Sequence, residues 1–149
     1  MVKVKARAIL LKYMHGFLYM WFMLKVRSIE SVLNVDKNAM QTIGIDYNEG
    51  VKRFSGNATI YEKFLLKFLD DTTFEELDQA LQNRDYGPAF SAAHTLKGVT
   101  GNLSMNRLYE ELVAFVEMLR NSTDLESAIA YYPKIKKTHL DLVSQLKSM

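Results

Sequence analysis

The residues best suited to chemistry lie in AAHTLKGVTGNL, residues 92–103. His94 is followed three positions later by Lys97, with Gly98 directly behind the lysine and Gly101 beyond it. On a helix turning ~100° per residue, Phe90, Lys97, Gly98 and Gly101 fall on His94's side, within about one turn of it. Leu96, Val99 and Leu103 point elsewhere, toward a core. A glycine inside a helix costs on the order of 0.5–1 kcal/mol relative to alanine. A helix built for stability alone would carry neither glycine. Small residues here leave the imidazole clear of its neighbours and open to another protein.

The chemistry follows from the side chain. Near neutral pH a histidine is substantially neutral, with a nitrogen lone pair that can attack phosphorus. The P–N bond is labile, so the phosphoryl group can be handed on and not merely stored. Such transfer rests mainly on positioning and charge compensation. Lys97, one turn along, supplies a cation for an anion on the imidazole. No magnesium site or base is read in the chain, so Mg²⁺ and the acceptor carboxylate are expected on the partner. His15 and His139 lack this company and read as ordinary side chains. The three histidines are far apart and there is no cysteine, which leaves no disulfide and no zinc-ligand spacing.

The elements that must position His94 are helices. Gly44, Gly50 and Gly56 punctuate a short lead-in from residue 40. Asn57 reads as the N-cap of ATIYEKFLLKFLDD, with Ile60, Phe64, Leu65, Phe68 and Leu69 on one face. Thr72 and Thr73, with Glu75 and Glu76, start FEELDQALQNRD. Asp85 caps the helix carrying His94, with Pro88 in its first turn. Ser104 opens a helix whose stripe is Leu108, Leu112, Phe115, Val116 and Leu119. Asp124 opens the last helix, which Pro133 is expected to kink or divide. Short connections between amphipathic helices predict an all-α, up-and-down four-helix bundle.

Charge separates the chain into two parts. Residues 1–39 carry seven Lys/Arg against two acids, a net +5, while the remaining 12 basic and 15 acidic residues come to −3. The body, 40–149, therefore lacks the clustered basic face of a nucleic-acid binder. The N-terminal part contains AILLKYMHGFLYMWFMLKV, residues 8–26, whose longest charge-free run, Tyr13 to Leu24, has 12 residues. A bilayer span needs ~20. Three readings stand side by side: a helix packed on the body or on another copy, a basic membrane-surface or marginal anchor helix, and a stretch upstream of a natural start at Met40.

AAHTLKGVTGNL resembles the signature of histidine-containing phosphotransfer (HPt) domains, in which His-x-x-Lys-Gly lies on one helix of a four-helix bundle. GIDYNEGVKRFSGNATIYEKFLLKFL, residues 44–69, is similar to the family's opening segment and first bundle helix. The resemblance covers roughly residues 41–149, and residues 1–39 lie outside it. It implies that His94 is phosphorylated, that Lys97 interacts with the phosphoryl group and that Gly98 gives access. It also implies partners: response-regulator receiver domains and a hybrid sensor histidine kinase. One departure is Ser104, where the family commonly has Gly or Ala; serine is expected to cap the next helix.

The leading expectation is a phosphorelay intermediate in two-component signal transduction, with no ATP-binding site of its own. It accepts a phosphoryl group on His94 from a receiver aspartate or hybrid kinase and passes it to another receiver. Phe90 and Gly101 belong to the expected docking patch. The alternative is a docking or adaptor module that binds a receiver domain or kinase without carrying phosphate. The expected location is cytoplasmic, with membrane association only if residues 8–26 act as an anchor.

Overall fold

The computed structural model describes residues 37–120 and 124–148. The chain divides into two units, residues 1–35 and 36–149. The expectations for residues 8–26 lie outside the described residues. Among the described residues seven helices follow one another: α1 Lys37–Thr42, α2 Tyr47–Arg53, α3 Ala58–Phe68, α4 Thr73–Gln82, α5 Tyr86–Asn102, α6 Asn106–Leu119 and α7 Leu125–Ser148. No strand occurs among the described residues. None of their helices is long and apolar enough to cross a membrane. Helix α1 runs across residue 39, and its Met40 is buried.

Helix starts follow local chemistry. Side-chain oxygens of Asp46, Asn57 and Asp124 accept the backbone N–H of Glu49, Ile60 and Ser127, satisfying donors that a first helical turn leaves open. Asp85 occupies the N-cap of α5 without a side-chain capping bond. Ser104 departs from expectation. Met105 holds the N-cap of α6, and Ser104 precedes it in the left-handed region at φ 53°. Its hydroxyl is buried with no hydrogen-bond partner, so it caps nothing.

Helices α4 to α7 form the bundle, each antiparallel to the one before it. Phe90 near the start of α5 meets Arg120 just past α6, and Gly101 near the end of α5 lies against Tyr109 at the start of α6. Between α6 and α7, Glu111 pairs with Lys134 and Phe115 with Tyr132. Helix α7 closes back on α4, where Asp78 accepts from the Tyr132 hydroxyl at 2.7 Å and from Lys136 at 2.9 Å. Helix α3 joins them: Phe68 meets His139 edge-on, and the Tyr61 hydroxyl donates to the Leu103 carbonyl at 2.8 Å. The result is an all-α, up-and-down helical bundle.

The apolar stripe of α6 is buried throughout, from Leu108 to Leu119. On α3 the buried face is Tyr61, Leu65 and Phe68, while Ile60 and Phe64 of the expected stripe stand 44% and 46% exposed. Tyr61 takes the inner position because its ring packs where Gly50 has no side chain and its hydroxyl finds the Leu103 carbonyl. Pro133 does not divide α7, which continues for 24 residues around it. The carbonyl of Ile129, four residues earlier, loses its helical donor, but Ile129 and Pro133 are both exposed and water can replace the bond. His139 is buried, stacked on Phe74 at 3.8 Å between ring centres.

Candidate functional site

The inner face of α5 fixes which way His94 points. Ala89, Ala92, Ala93, Leu96 and Thr100 are buried, and the Thr100 hydroxyl is satisfied by the Leu96 carbonyl at 2.9 Å. Alanines on that face let α5 sit close between α4 and α6. With those positions turned inward, helical periodicity sends His94 to the exposed side. The end of α5 is held by the lead-in: the Asp46 N–H donates to the Ser104 carbonyl at 2.9 Å.

Five residues singled out from sequence lie along this helix. His94 and Gly98 are exposed, and Phe90, Lys97 and Gly101 are half-buried. The Phe90 and His94 ring centres are 6.0 Å apart, tilted by 32°. Val99, expected in the core, is half-buried. The two glycines differ in kind. A Cβ at Gly98 would meet nothing within 4 Å, so the protein's own packing does not require glycine there. A Cβ at Gly101 would approach the Tyr109 ring to 3.0 Å, so that glycine has an internal reason: it makes room for an aromatic ring.

Glu117 of α6 and Arg120, just past its end, are two residues that the sequence reading missed. Arg120 donates to both carboxylate oxygens of Glu117, at 2.8 and 2.9 Å, while its guanidinium lies 5.7 Å from the Phe90 ring centre. Arg120's hydrogen bonds hold the Glu117 carboxyl below the usual carboxylate range, opposed by desolvation, and the charges of Arg120 and Lys97 add to them. Two cations, Lys97 and Arg120, and one carboxylate therefore stand around the helix that carries His94. The three-residue spacing of Glu117 and Arg120 shows that they can pair. Only the antiparallel register of α6 against α5 brings that pair to Phe90.

On the other side of α5 lies a cavity of about 500 Å³, lined by Phe54, Phe64, Phe68, Val99 and Leu103, with Lys67 among its polar residues. Phe64 and the neighbouring exposed Ile60 present apolar surface on α3. Among the described residues, no group of three or more His, Asp or Glu is placed to hold a metal ion.

The arrangement offers an accessible imidazole, a cation one turn away, open space beside it and apolar surface within reach. Neither a curated protein nor a solved structure matches the chain. The family model described as Hpt domain matches residues 64–147, more than half of the chain. The match begins within α3, so α1 and α2 precede it. The chain belongs to the Hpt domain family, whose members carry out phosphotransfer in two-component signalling.

Proposed function

We propose that this protein is a phosphorelay intermediate and that His94 is its phosphoryl carrier. A ring nitrogen of His94 attacks the phosphorus of a receiver-domain aspartyl phosphate. As the N–P bond forms, the acyl P–O bond breaks, its electron pair stays on the aspartate carboxylate and the imidazole gives up one proton. Reversal with a second receiver passes the group on. Lys97 offsets charge on the phosphoryl oxygens, the main service a protein renders to this reaction. Mg²⁺ and the carboxylate belong to the receiver.

The observation that carries this reading is Gly98. It stands exposed one turn from an exposed histidine, nothing in the chain fills the space of its missing side chain, and it costs the helix stability. Open space there lets a partner reach the imidazole. Hpt domains generally interact with receiver domains and kinases. For this chain, the exposed Ile60 and Phe64 and the cavity beside Val99 are the docking surface we assign to the receiver.

The test is incubation with a phosphorylated receiver domain and Mg²⁺, followed by intact-mass analysis of wild type and His94→Gln. An acid-labile phosphoryl adduct on wild type alone is the expected result. A folded wild-type protein that takes no adduct from several receivers refutes the carrier role and favours a docking module that carries no phosphate.

A further inference from the structure

A charge pair stands beside the site that transfer by itself does not require. The fork of Glu117 on α6 and Arg120 just past it meets α5 through the Phe90 ring, which neighbours the His94 ring. Both side chains are well exposed, 59% for Glu117 and 49% for Arg120, so each can exchange partners without disturbing the core. Lys97 also acts on Glu117, since its charge helps hold that carboxyl low. A phosphoryl group on His94 brings close to two negative charges to this face. It attracts Arg120 and Lys97, both of which already answer to Glu117, and Glu117 repels it.

Resting on the reading of His94 as carrier, we propose that Glu117 is a counter-charge that limits how strongly the site retains the phosphoryl group, by competing with it for Arg120 and Lys97. Glu117 thereby shifts the exchange equilibrium toward the receiver aspartate. In that step a receiver carboxylate oxygen bonds to phosphorus while the P–N bond breaks. The bonding pair returns to the imidazole nitrogen, which takes up one proton. Glu117 touches none of these atoms and is a positioning residue.

The experiment measures the equilibrium ratio of phospho-His94 to receiver phospho-aspartate by intact mass, with purified receiver domain and Mg²⁺. Wild type, Glu117→Gln and Glu117→Asp are compared at low salt and near 1 M salt. The expected shift for Glu117→Gln is roughly two- to five-fold toward phospho-His94, the size of one exposed charge interaction. Glu117→Asp restores most of the wild-type ratio, and the shift shrinks near 1 M salt, where the screening length is ~3 Å. A purely structural role would show neither the rescue nor the salt dependence. Equal ratios in wild type and Glu117→Gln, with phospho-His94 present in both, overturn the proposal, as does a shift that survives high salt. Absence of phospho-His94 from wild type overturns instead the carrier reading beneath it.

Discussion

Replacing Ser104 by glycine should make this protein more stable, although the residue is fully buried at the junction of α5 and α6. Two features of Ser104 are unfavourable. Its φ of 53° lies in the left-handed region, which costs a residue with a Cβ ~1–2 kcal/mol. Its buried hydroxyl has no hydrogen-bond partner, a burden of ~1–3 kcal/mol. Against this, glycine loses more conformational freedom on folding, ~0.5–1 kcal/mol, and a buried methylene's worth of packing, ~0.8 kcal/mol, disappears. The central values leave a gain of about 2 kcal/mol, or a rise in melting temperature of about 6–10 °C for a domain of this size. Thermal and urea unfolding of Ser104→Gly, Ser104→Ala and Ser104→Val separate the contributions. Alanine removes only the hydroxyl and should also stabilise. Valine is β-branched at a positive φ and should destabilise. The backbone bond from Asp46 to the Ser104 carbonyl is untouched by all three. A Ser104→Gly protein that melts at or below the wild-type temperature refutes the reasoning.

Two further outcomes follow from the same geometry. Gly98→Ala should stabilise α5 by ~0.5–1 kcal/mol, because its Cβ meets nothing, while slowing phosphotransfer; Gly98→Glu should abolish transfer in a folded protein, and wild-type rates in both variants would remove the access role. Burial against Phe74 and Phe68 pushes the His139 pKa down, opposed by Glu75 of α4 and Asp71 of the turn before it. The unfolded chain then takes up the proton first, at its ordinary pKa of ~6.5. Stability is thus complete above that pH and falls as pH drops from it toward the lower folded-state pKa. Urea midpoints at about pH 7.5 and about pH 5.5 test this: wild type should lose stability between them, and His139→Phe should lose less.

Much of the fold is legible from local pattern. The stripe from Leu108 to Leu119 repeats at helical spacing and is buried as a unit, because a helix with one apolar face has one way to hide it. Asn57 and Asp124 mark their helix starts because capping involves only residues a few positions apart. The site motif is local in the same sense: His94, Lys97 and Gly98 share a side of α5 by periodicity alone.

Where a choice depends on distant residues, sequence spacing was silent or misleading. On α3 both Tyr61 and Phe64 satisfy an apolar stripe, and contact with Gly50 and the Leu103 carbonyl decides that Tyr61 goes inside. Ser104 looks like a cap by residue type, yet the turn joining α5 to α6 holds it in the left-handed region with its hydroxyl unpaired. Gly98 and Gly101 look alike in sequence; only the position of Tyr109 shows that one makes room for the chain's own ring and the other leaves open space. Glu117 and Arg120 reach the site only through the antiparallel register of α6 on α5. The sequence by itself determined the helices and the face that His94 occupies, because backbone periodicity and capping act over one or two turns. Tertiary structure decided the charged surroundings of His94 and the meaning of each glycine, because those depend on atoms from helices that meet only when the bundle closes.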